Sequence, residues 1–336
     1  MKNMTRLLIP FLIGASVLSA QTVSTDPVGY ITVNVAGTGG AGSAKISIIG
    51  SPMHGAVLAS GSLTSADGTT LNSTSSSLTD SAYSSSHYIQ ITSGANTGVT
   101  SAITGNTATS VSTSDDLSSL LSGDETFAIR AFTTLGDIFG AANESGIGGG
   151  ANSNVADEIL VYNGSSFDVY YYQDGAPFGG TGWRSSTNGF SSAANTVIPH
   201  GLSIVVKRKQ ADDVALVLSG SVFTTDTSVP VESGVNWLAG SHPVNYTLAS
   251  YFGADGGNIG KGANSSVADE ILVPNGNGGF NIYYYQDGAP FGGTGWRSST
   301  NGFSDAGSTV VASAGSGFVI KAKNGAYNVN DATPLD

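Results

Sequence analysis

Short stretches in which apolar and polar residues alternate recur along the chain, bounded by Gly, Asn and Asp. Examples are YITVNV (30–35), HYIQITS (87–93), FAIRAF (127–132) and LSIVVKRK (202–209). Successive side chains of a strand point to opposite faces, so a two-residue period predicts β-strands with one face turned inward. Stripes with the 3.6-residue period of an amphipathic helix are hard to find. The pattern predicts an all-β protein, sandwich- or barrel-like, with little helix.

The predicted strands come in two series. YYYQDGAPFGGTGWRSSTNGF runs from Tyr170 to Phe190 and again, letter for letter, from Tyr283 to Phe303. The match extends outward with drift. FTTLGDIFG (132–140) answers NYTLASYFG (245–253), GANSNVADEILV (150–161) answers GANSSVADEILV (262–273), and VIPHGLSIVVKRK (197–209) answers VVASAGSGFVIKAK (310–323) loosely. AKISIIGSPMHGAVLASG (44–61) resembles VNWLAGSHPVNYTLASYFG (235–253). Two similar modules in tandem are expected, the first interrupted by a small β-barrel inserted at a surface loop. The expected division is 21–79 for the first strands of module 1, 80–131 for the insert, 132–211 for the rest of module 1 and 212–336 for module 2. Residues 62–86 are poor in apolar side chains and read as a loose connection.

In the strand that leads into the identical block, Phe167, Val169 and Tyr171 fall on one face, like Phe280, Ile282 and Tyr284. Tyr170 and Tyr172 share the other with Asp168, and Tyr283 and Tyr285 with Asn281, which suggests an outer face. Asp174-Gly175 signals a turn, Pro177 and the glycines that follow signal a loop, and Trp183-Arg184 restarts an extended segment closed by Asn188-Gly189 and Phe190. Two arrangements are open. Trp183 and Phe178 could fold over the tyrosines as a small core. Alternatively Tyr170, Tyr172, Trp183 and Arg184, with Tyr283, Tyr285, Trp296 and Arg297, could form platforms for a sugar ring or another protomer. Packing alone does not explain complete identity, because cores accept volume-conserving swaps. Two explanations are open: homogenisation of the gene, or one contact made twice, to a common partner or between copies.

Composition narrows the classes. The first 20 residues carry Lys2 and Arg6, an apolar run from Leu7 to Leu18 broken by Pro10 and Gly14, then small residues. This is the layout of a secretory signal peptide, with cleavage after Ser19 or Ala20, and the run is short for a membrane span. The whole chain has 12 basic and 24 acidic residues; without Lys2 and Arg6, 10 stand against 24, a charge of −14. That balance disfavours nucleic acid and anionic lipid as partners. Cysteine is absent, so an exported chain must rely on its core, on metals or on assembly.

Catalytic signatures such as G-x-S-x-G, H-E-x-x-H or a Walker loop are missing. GIGGGA (146–151) imitates a dinucleotide fingerprint but precedes a strand and reads NIGKGA in the second copy. His54, His87, His200 and His242 share no spacing. The recurring acids are Asp157-Glu158, Asp174, Asp269-Glu270 and Asp287. Ca²⁺ bound through Asp157, Asp174, Asp269 and Asp287 is one expectation. Glycoside hydrolysis is a weaker one, because adjacent strand residues point to opposite faces.

TDPVGYITVNV (25–35), ITSGANTGVTSAITGNTATSV (91–111) and the ADEILV…YYY…GWR repeat together resemble a family of secreted all-β repeat proteins of Verrucomicrobia-type bacteria whose chains open on DPVGY. The resemblance implies an extracellular β module and assigns no site residues. The expected function is a secreted, non-catalytic structural or cell-surface protein, self-assembling through the repeated Tyr/Trp block. A carbohydrate-binding or adhesive module is the alternative, and an extracellular hydrolase the weakest. The expected partner is a second copy of the chain or a surface glycan, without membrane insertion once the leader is cleaved.

Overall fold

A computed structural model describes residues 26–74, 78–175, 180–288 and 293–334. The leader and the loop residues Pro177 and Phe178 lie outside them. The described residues are nearly all β. In chain order the strands are β1 (Val28–Val35), β2 (Lys45–Gly50), β3 (Val57–Ser62), β4 (Ser65–Asp67), β5 (Thr70–Asn72), β6 (His87–Ile91), β7 (Thr100–Asn106), β8 (Ser110–Thr113) and β9 (Thr126–Ala131). Then come β10 (Thr133–Thr134), helix α1 (Leu135–Phe139), β11 (Glu158–Tyr162), β12 (Phe167–Asp174), β13 (Thr181–Ser185), β14 (Val197–Ile198), β15 (Ser203–Arg208) and β16 (Val214–Ser221). The last group is β17 (Thr227–Val231), β18 (Gly234–Ala239), β19 (Tyr246–Thr247), helix α2 (Leu248–Phe252), β20 (Glu270–Pro274), β21 (Phe280–Asp287), β22 (Thr294–Ser298), β23 (Val310–Ala312), β24 (Gly317–Ala322) and β25 (Tyr327–Asp331).

Two five-stranded antiparallel sheets share one strand order, β13-β12-β11-β15-β2 and β22-β21-β20-β24-β18. Each has a strand pair of its own, β1 with β16 and β17 with β25, formed by the segments that precede its first strand and follow its last strand in the chain. In β1–β16 the alternation is clean. Val33, Val35, Leu216 and Leu218 are buried, while Val28, Tyr30 and Val217 face outward. The single-turn helices are held by capping boxes, Thr134 with Asp137 and Thr247 with Ser250. They bury Leu135, Ile138 and Phe139, or Leu248, Tyr251 and Phe252, against the same faces as the pairs.

A third, seven-stranded sheet runs β3-β9-β6-β7-β8-β5-β4 around Leu71, Ile89, Ile91, Ile103, Phe127 and Ile129. Strands β3 to β5, placed with module 1 by the sequence, belong to this sheet: β3 pairs with β9 and β5 with β8. The described residues of 62–74 and 78–86 are likewise tied in, because Leu63, Leu71 and Leu78 enter its core. Sparse apolar residues hid β4 and β5, which carry one each.

The two five-stranded sheets pack back to back. Ile48, Leu160, Phe167 and Val205 of one meet Trp237, Leu272 and Val319 of the other. Phe167 and Trp237 form an edge-to-face pair with ring centres 5.1 Å apart. The contact is reciprocal. Gly50 N donates to Gly315 O (3.0 Å), and Ala239 N donates to Gly201 O (2.9 Å). Strand registers make Gly50 the counterpart of Ala239, and Ser203 that of Gly317. These counterparts face each other: a Cβ on Gly50 would lie 2.1 Å from Ala239 Cβ, and one on Gly317 2.4 Å from Ser203 Cβ. Each crossing has room for one Cβ.

Gly50→Ala should therefore lower stability by about 1–3 kcal/mol through overpacking. Gly50→Ala combined with Ala239→Gly should recover most of that loss. Urea midpoints of the two variants measure it, and no recovery in the pair would show that the crossing is not the cause.

Candidate functional site

In both copies the identical block forms an edge hairpin, β12–β13 or β21–β22. Tyr172 lies opposite Trp183, and Tyr285 opposite Trp296. The indole Nε1 of Trp183 donates to Gly140 O (2.8 Å), and that of Trp296 to Gly253 O (3.0 Å). Each indole also lies against the last aromatic of its helix, Phe139 or Phe252, at 5.5 Å. Trp183 is 1% exposed and Trp296 2%. Tyr170, Tyr283 and Tyr285 are buried and Tyr172 half-buried in the same clusters.

The platform expected from the sequence is corrected here. The face carrying Tyr170, Tyr172 and Trp183, and its copy with Tyr283, Tyr285 and Trp296, is a core face. Alternation assumes one wet face, but each five-stranded sheet is covered on one side by its own strand pair and helix and on the other by the opposite sheet. Arg184 and Arg297, opposite Tyr171 and Tyr284, are half-exposed.

What the block does expose is its last turn. Asn188 O accepts from Ser191 N (3.1 Å), and Asn301 O from Ser304 N (3.2 Å). The two residues between have positive φ in both copies: Gly189 (57°) and Phe190 (59°), then Gly302 and Phe303 (both 59°). Glycine accepts this backbone readily. Phenylalanine does not, because its Cβ crowds the following carbonyl at roughly 1–2 kcal/mol. Both rings nevertheless stand in solvent, 60% and 62% exposed. A strained, exposed aromatic repeated at the same place is the strongest departure from folding economy in the block. The sequence sets Phe190 with Asn188-Gly189 at the close of the segment but does not signal its exposure.

The carboxylates fall into two groups. Asp157 is fully buried; it accepts from Gly148 N (2.7 Å) and Lys209 N (2.6 Å) and is ion-paired with Arg208. Asp269 is also fully buried and accepts from Gly260 N (2.8 Å), Lys323 N (2.7 Å) and Asn324 Nδ2 (3.1 Å). Glu158 binds Lys207 (2.9 Å) and Lys209 (2.7 Å). Burial works to raise the Glu158 carboxyl, and the two lysines hold it below its usual range. Asp174 and Asp287 lie exposed at strand ends. Among the described residues no group of three or more His, Cys, Asp or Glu is arranged to hold a metal ion. The oxygens proposed for calcium at Asp157 and Asp269 are instead taken by N–H donors that fasten a loop to β11 or β20.

Three of the histidines, His54, His200 and His242, meet around Phe223. No spacing signals this, because the four residues come from separate segments. Comparison with protein-family models, curated proteins and solved structures finds no match to the chain.

Asp157→Asn should cost about 3–5 kcal/mol, because it leaves the buried Arg208 guanidinium unpaired. Asp269→Asn, which has Ala322 where the first copy has Arg208, should cost about 1–3 kcal/mol. Denaturant unfolding of the two variants compares them; equal losses would remove the role given to Arg208.

Proposed function

We propose that the chain is a secreted, non-catalytic structural or cell-surface protein that associates with further copies of itself through the Phe190 and Phe303 turns. One observation carries the reading: two identical turns each hold a phenylalanine in solvent at a cost in backbone strain. Folding has no use for either ring, whereas contact with a partner does. Like patches at two places on one chain can link neighbours into a chain or lattice rather than a closed pair. The leader and the cysteine-free, Gly- and Ser-rich composition support a location outside the cell.

A second reading has its own observation. A cleft of about 620 Å³ between the seven-stranded sheet and the second repeat is lined largely by amides and hydroxyls, among them Asn96, Thr97, Asn258, Asn328 and Asn330. Such groups donate and accept together, as binding of a neutral glycan requires.

Phe190→Asn with Phe303→Asn separates the readings. Asparagine tolerates the left-handed backbone, so the variant should be as stable as the parent or up to about 2 kcal/mol more stable. Light scattering across concentration should show assemblies of the parent and only monomers of the variant. A parent that stays monomeric, or a variant that assembles equally well, would remove self-association and leave the amide-lined cleft as the surface to probe.

A further inference from the structure

His54 follows β2, His200 lies between β14 and β15, and His242 follows β18; all three are gathered by Phe223, in the link between β16 and β17. The His54 ring lies flat on Phe223, centres 3.5 Å apart and planes 5° from parallel. His200 and His242 meet the same ring edge-on at 5.8 and 6.4 Å. From the seven-stranded sheet, Arg130 sets its guanidinium 5.1 Å from the Phe223 centre, and Tyr88 stacks on His200 at 5.6 Å. The seven-stranded sheet and both five-stranded assemblies thus converge on one aromatic ring.

The charged and titratable groups around the imidazoles are few. Arg130 faces them from β9, ion-paired with Asp26, which precedes β1. Tyr88 comes from β6. Asp331 of β25 lies by His242, bound to Ser241 N (2.7 Å) and Tyr246 Oη (3.1 Å), with Tyr251 beyond. His54 Nε2 donates to Ser241 O (2.8 Å), a link from the first repeat to the second. His200 Nδ1 and both nitrogens of His242 have no hydrogen-bond partner among the described residues. A proton added to His54 or His200 would therefore sit in the interior near Arg130, with little to solvate it.

We propose that the Phe223 cluster is an acid-sensitive joint: with His54 and His200 neutral it holds the seven-stranded sheet against the two five-stranded assemblies, and their protonation releases it. Burial lowers the His54 pKa well below 6.5 and brings that of His200 to about 4. Once the joint opens and the rings meet water, both recover values near 6.5. Protons thus bind the open form more strongly. The closed form has its full advantage above pH 6.5 and loses it as pH falls toward 4. His54 and His200 each raise the opening constant by up to about tenfold per pH unit, and His200 alone by roughly 300-fold over that span.

Hydrogen exchange of the full chain between pH 7.5 and 4.5, corrected for intrinsic rates, tests this. Amides at 86–91, 127–132, 222–227 and 240–246 should lose protection on acidification, while β11–β13 and β20–β22 keep theirs. His54→Gln with His200→Gln should flatten the response, and His87→Gln, outside the cluster, should leave it unchanged. Protection at the joint that ignores pH, or simultaneous loss in all three sheets, overturns the proposal. Should the double variant not fold, imidazole NMR of the parent decides. His54 and His200 should take up protons only as protection falls, and uptake near pH 6.5 with protection intact overturns the joint.

Discussion

Where Gly50 crosses Ala239 the two five-stranded sheets approach so closely that one methyl group fills the gap, and much of the architecture depends on that approach. Interiors are packed as densely as organic crystals, so a crossing this tight fixes which faces meet. With the sheets back to back, the outer faces remain for the β1–β16 and β17–β25 pairs and the two short helices. No broad face of either sheet is left to water. The tyrosine and tryptophan rows are consequently core residues, and the block meets solvent through its turns.

This geometry explains why the centre of the two copies has drifted and leaves the identical segment free to stay the same. The strands that meet across the centre are β2, β15, β18 and β24, where KISIIG stands against GVNWLA and SIVVKR against GFVIKA. Counterparts there touch each other, so a change in one copy is answered by a different change in the other, as in Gly50 with Ala239 and Ser203 with Gly317. The identical block occupies the edge strands at the opposite end of each sheet. Its environment is the same twice over, an indole on a helix-terminal phenylalanine and a glycine carbonyl. Packing permits identity there, and the two exposed phenylalanines supply a reason to keep it.

Much of the strand pattern was legible in the residues. The alternation in YITVNV, the Asp174-Gly175 turn and the tyrosine strand all lie where their periods and turn residues place them. The inward face of β12 was misread, because Asp168 beside two tyrosines looks like a wet face and no local signal reveals a sheet covered on both sides. Strands β4 and β5 escaped because each carries a single apolar residue, and β3 was set in module 1 because its segment resembles one of the second module. The loop-fastening role of Asp157 needs Arg208, some fifty residues distant in sequence. The histidine cluster needs a chain path that only the assembled sheets define. Phe190 stands with Asn188-Gly189 at the close of its segment, and its left-handed backbone was legible there, since an aromatic after Asn-Gly sits where that conformation is common.

The unequal residues at the central crossing also set a limit on the chain's genetic history. Exchange of DNA between the two halves of the gene can run through the block from Tyr170 to Phe190 without disturbing either sheet. Farther toward the centre it meets a barrier, because copying Ala239 into position 50, or Ser203 into position 317, sets two Cβ atoms where only one fits. The two halves can keep rewriting each other at their edges, yet at their shared centre they have become complementary parts, and neither can now stand in for the other.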